Sequence, residues 1–83
     1  MCRNITTLRG LEPAASSEEI EAAARQYVRK VSGVSAPSAK TSGAFDVAVA
    51  AVTRATEELL RDLPARQRPP TSVPPLRRLR APQ

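Results

Sequence analysis

Pro64 is where the sequence predicts the foldable part of this chain to end. Six of its eight prolines stand at 64, 69, 70, 74, 75 and 82. Proline lacks a backbone donor and its ring clashes with the preceding turn, so that spacing interrupts long helices and central strands alike. Of 83 residues, only about sixty remain to build a single domain, near the lower end of what folds unaided. The predicted organisation is a small domain over residues 1–63 and a disordered Pro/Arg-rich tail over 64–83.

Charge divides at the same place. Arg66, Arg68, Arg77, Arg78 and Arg80 face no acidic residue, so the tail carries the whole net charge of +5, while eight basic and eight acidic side chains cancel in residues 1–63. The high pI belongs to the tail and does not describe a basic fold. One cysteine and no histidine exclude an internal disulfide and leave no zinc site that one chain could complete. No apolar run approaches the roughly 18 residues of a membrane span, and Met1-Cys2-Arg3-Asn4 lacks the apolar stretch of a signal peptide. These observations predict a cytoplasmic protein with no membrane segment, no bound metal and no cofactor.

Two helices are predicted, at about 17–32 and 42–63. The first has Ser16 and Glu19 at capping-box spacing and Gly33 to end it. Its apolar stripe is Ile20, Ala23, Ala24, Tyr27, Val28 and Val31. Glu18, Glu19 and Glu21 near its start and Arg29 and Lys30 near its end complement the helix dipole. Pro37 forces Ala36 out of the helical region, so a second helix begins at Thr41 or Ser42 and stops at Pro64. Its stripe is Phe45, Ala48, Val49, Val52, Ala55, Leu59 and Leu63. Glu21 with Arg25, Arg54 with Glu58, and Glu57 with Arg61 are spaced as i,i+4 ion pairs. The fold class is all-α: a helical hairpin with a packed N-terminal arm that lays Ile5, Leu8 and Leu11 over the groove. The most buried side chains should be Ile20, Tyr27, Val28, Val31, Phe45, Val49, Val52 and Leu59.

The blocks Met1-Cys2-Arg3-Asn4-Ile5, Thr7-Leu8, Glu18-Glu19-Ile20, Gln26 to Gly33, Pro37-Ser38-Ala39 and Ala44-Phe45-Asp46 follow one another in an order that resembles a family of small bacterial proteins, common in actinobacteria, of unknown function. The resemblance runs over residues 1 to about 63 and implies no catalytic residue. It departs at Thr41-Ser42-Gly43, where family members have a polar, often Asn-Glu-Glu segment. It departs again from Pro64, where they continue into a helix-prone tail of mixed charge.

Candidate functional residues are few. Loss of Met1 would leave Cys2 with a free α-amine beside its thiol, the arrangement of an N-terminal nucleophile or a thiol redox or metal contact; the alternative is a small packed side chain. Arg3 and Asn4 suit an anion or partner contact, or a tie between the arm and the helix ends. The five tail arginines suit weak, salt-sensitive polyanion contact without base specificity, since no aromatic is interleaved with them. The functional expectation is a non-enzymatic interaction or accessory protein whose partner is another protein or a second copy. A thiol-dependent role of Cys2 and weak nucleic-acid association through the tail stand as the other two readings.

Overall fold

The computed structural model describes residues 5–64, 70 and 73–80, with side chains as far as Arg77. Its helices are α1 (Ser17–Ser32), α2 (Ser42–Asp62) and α3 (Pro75–Arg80), and no strand occurs among the described residues. The all-α hairpin is therefore the architecture.

Local chemistry sets the ends of α1. Ser16 is its N-cap; the Glu19 backbone N–H donates to Ser16 Oγ at 3.1 Å, and the Ser16 N–H donates to Glu19 Oε1 at 2.9 Å. This closes a complete capping box and occupies two donors that a helix start leaves unpaired. At the other end Gly33 turns left-handed at φ 73° and donates its N–H to the Arg29 carbonyl. A Cβ there would meet nothing within 4 Å, so the backbone angle alone demands glycine.

The start of α2 uses a different device. Thr41 makes no side-chain capping bond; its Oγ1 accepts from the Ser38 N–H at 2.8 Å, and the Ser42 N–H donates to the Ser38 carbonyl at 2.8 Å. The turn over 38–41 thus feeds the chain into the helix. Leu63 is extended and leads to Pro64. Thr53 and Thr56 donate to the carbonyls of Val49 and Val52, both at 2.7 Å, which lets two hydroxyls sit half-buried beside the core.

The helices run antiparallel. Val28 near the end of α1 packs with Phe45 near the start of α2, while Ser17 Oγ donates to Glu57 Oε2 at 3.1 Å at the opposite end. Two apolar clusters result. Ala24, Val28, Phe45 and Val49 form one, backed by Val34, Ala48 and Val52. Leu8 and Leu11 of the arm close over Ile20 to form the other, with Ala15 and Leu60 beside them. Arg9 fastens the arm to the end of α2, its Nε and Nη2 donating to the Pro64 carbonyl at 2.9 and 2.7 Å.

Several expectations need correction. Tyr27, Val31 and Leu59, predicted to be core, are 49%, 66% and 54% exposed, and Ile5 of the arm is also exposed. A helix with one helical neighbour buries only a narrow strip, and these stripes are wider than that strip. Glu19 and Gln26 are buried instead, although both lie off the stripe. Of the predicted ion pairs, Glu21 and Arg25 meet at 3.0 Å, and Arg25 also lies over the Phe45 ring. Glu57 accepts from Ser17 and Arg61 turns to Asp62 at 3.9 Å; neither forms the expected pair, and Arg54 and Glu58 form none among the described residues.

The described part of the C-terminal segment carries the short helix α3, a buried Pro74, and an Arg77 bound to Glu19 of α1. Proline suits the first turn of a helix, where its missing donor costs nothing. Pro75 stands there.

Candidate interaction surface

One side of the hairpin is apolar and uncovered. Along α2 the residues Ala44, Ala48, Val52, Ala55 and Leu59 fall at i, i+4, i+8, i+11 and i+15, which places them on one face. Tyr27 and Val31 of α1 stand beside them. Between the helices this face sinks into a groove of about 390 Å³ lined by Tyr27, Val31, Ala44, Ala48 and Val52, and also by Lys40. The groove continues past Tyr27 and Val52 to Ala55, Thr56 and Leu59, and then to the arm, where Thr6 Oγ1 is buried with no hydrogen-bond partner. Its lining is mostly apolar, with no cluster of titratable groups and no nucleophile–base pair. Such a surface can bury apolar area against a partner.

The other recess, about 580 Å³, lies between the arm and the end of α2 and includes Arg9, Glu12, Ser17, Glu57 and Arg61. Some of its polar groups already serve the fold: Arg9 holds Pro64 and Glu57 holds Ser17. No group of three or more histidine, cysteine, aspartate or glutamate side chains able to hold a metal occurs among the described residues.

A second feature joins α3 to α1. Arg77 donates from Nε to Glu19 Oε2 and from Nη2 to Glu19 Oε1, each at 3.0 Å, and from Nη2 to the Ala14 carbonyl at 3.3 Å. Burial pushes the Glu19 carboxyl pKa up, but the Ser16 N–H and the Arg77 guanidinium outweigh it and leave the pKa below its ordinary value. Glu19 therefore caps its helix and anchors the tail with one carboxylate. Sequence reasoning found the first role and missed the second. The only signal was a run of arginines without local acids, and that does not choose a partner.

The sequence-derived site residues are placed as follows. Cys2, Arg3 and Asn4 lie outside the described residues, as do Arg66 and Arg68. Arg78 and Arg80 belong to α3, and their side chains are not described. Arg77 is bound to Glu19, so a polyanion could take it only in exchange for that carboxylate.

A family model described as an uncharacterized conserved protein, DUF2277, matches residues 1–82. The chain belongs to this family. Membership in DUF2277 covers both long helices, the uncovered groove and α3, so the Arg77 contact lies inside the family's span. No curated protein and no solved structure matches the chain. No helix among the described residues is long and apolar enough to cross a membrane.

Proposed function

We propose that this DUF2277 protein is a small, non-enzymatic interaction module of the bacterial cytoplasm that docks a helical partner in the groove between α1 and α2. The observation that carries the reading is the exposure of Tyr27, Val31 and Leu59 along one continuous apolar groove. Apolar side chains scattered singly over a surface need no explanation, but several lining one groove mark a binding face. An amphipathic helix suits a groove of this kind, because its i, i+3, i+4 and i+7 side chains fit a linear cleft. The arm fastened by Arg9 would hold the groove in shape.

The test is site-directed photo-cross-linking in the native cell, with a benzophenone side chain placed in the full chain at position 55 on the groove side or at position 50 on the opposite face of α2. The expected result is a discrete cross-linked product from position 55 and none from position 50. Equal products from both positions, or none from either, would remove the interaction reading.

A further inference from the structure

We infer that the occupant of the groove is a second copy of this chain, lying antiparallel across a two-fold axis between Ala51 and Val52. The inference rests on the docking reading above and names its partner.

Area comes first. Tyr27, Val31 and Leu59 leave 49%, 66% and 54% of their surface uncovered on this one face, where a standard interface takes roughly 800 Å² from each partner. Among the described residues no side chain reaches less than 2% exposure, so the core lacks a closed centre. A second hairpin on the open face would supply one, and two hairpins make a four-helix arrangement.

The face also complements itself. Reversed about the midpoint between Ala51 and Val52, the α2 stripe meets itself: Ala44 falls opposite Leu59 of the second copy, Ala48 opposite Ala55, and Val52 opposite Ala51. Small residues meet at the centre, where the axes approach most closely, and the large Leu59 meets the small Ala44 at each end. Self-complementarity under a two-fold rotation is what an isologous dimer requires. Tyr27 and Val31 wall the groove and would flank the incoming helix.

Charge agrees with that register. Lys40 lines the groove, four residues before Ala44, and forms no ion pair among the described residues. Asp62, just beyond Leu59, has only the 3.9 Å contact to Arg61 and a side chain 78% exposed. The antiparallel arrangement brings Lys40 of each copy to Asp62 of the other, twice per dimer. A parallel arrangement would set like charge against like.

Sedimentation equilibrium on the full chain tests this over about 1 to 200 µM, a range that covers interfaces of this size. The expected mass is twice 8.9 kDa at the upper end. Leu59→Glu, at a side chain already 54% exposed, should return the monomer mass with the helical circular-dichroism signal unchanged. Lys40→Asp and Asp62→Lys should each weaken the dimer about tenfold, and the double variant should recover most of that loss. A monomer mass throughout, or a dimer indifferent to Leu59→Glu, overturns the proposal. A dimer lost in both single charge variants and not recovered in the double overturns the antiparallel register. A monomeric chain whose position 55 still cross-links to a different protein would sink the second copy while leaving the interaction reading intact.

Discussion

Arg77 and Glu19, 58 residues apart, form a two-pronged ion pair with both bonds at 3.0 Å. The carboxylate is 6% exposed and the guanidinium side chain 21%, so water screens the pair less than it would a surface contact. A carboxylate accepts two parallel bonds from an arginine with matched geometry. Here a third donor, the Ser16 N–H, holds the same carboxylate in place.

Arg77→Ala should lower unfolding free energy by about 1–2 kcal/mol, because it leaves a largely buried carboxylate with only its capping donors. Urea denaturation measures the loss. Amide exchange in α3 should quicken in the same variant, since its anchor is gone. Unchanged stability together with unchanged exchange would show that α3 is held by something other than Glu19.

The same pair predicts a pH dependence. The Glu19 pKa is lowered in the folded state, so in acid the unfolded chain binds its proton first. Its contribution to stability is complete above the ordinary glutamate value, about 4.3, and is lost as pH falls through the depressed folded value. Stability measured from about pH 5 to about pH 3 should therefore fall less steeply in Glu19→Gln, which retains the capping geometry but cannot titrate. Equal slopes in parent and variant would refute the assignment.

Val28 and Val31 lie three residues apart on the predicted stripe but differ in exposure, at 5% and 66%. Val28→Asp should cost about 3–5 kcal/mol by placing an unpaired charge among Ala24, Phe45 and Val49, whereas Val31→Asp should change the stability of the isolated hairpin by about 0.5 kcal/mol or less. Thermal melts in dilute solution compare them directly. Similar losses in both would mean that the groove is closed.

Gly33→Ala should destabilise α1 by about 1 kcal/mol, because φ 73° is a conformation that alanine adopts poorly. No steric clash adds to this, since a Cβ at this position meets open space. Gly33→Asn, which tolerates the left-handed region better, should recover part of the loss. Chemical denaturation of the three proteins would decide the matter, and an alanine variant as stable as the parent would rule out the backbone argument.

Helix limits were legible from the sequence because they depend on neighbours in the chain. The Ser16 and Glu19 capping box, Gly33 after the last turn and Pro64 beyond Leu63 act over a few residues, and α1 and α2 start and stop where those signals stand. The apolar periodicity was equally local and correctly chose the faces that carry Ile20, Val28, Phe45 and Val49. Tertiary structure decided how much of each face is covered. Tyr27, Val31 and Leu59 share the stripes but lie outside the strip that two helices can cover between them, and periodicity marks a face without counting its neighbours. It also decided the partner of Arg77. A charge pair between residues 58 positions apart leaves no pattern along the chain, because it exists only once α3 has been brought to the start of α1.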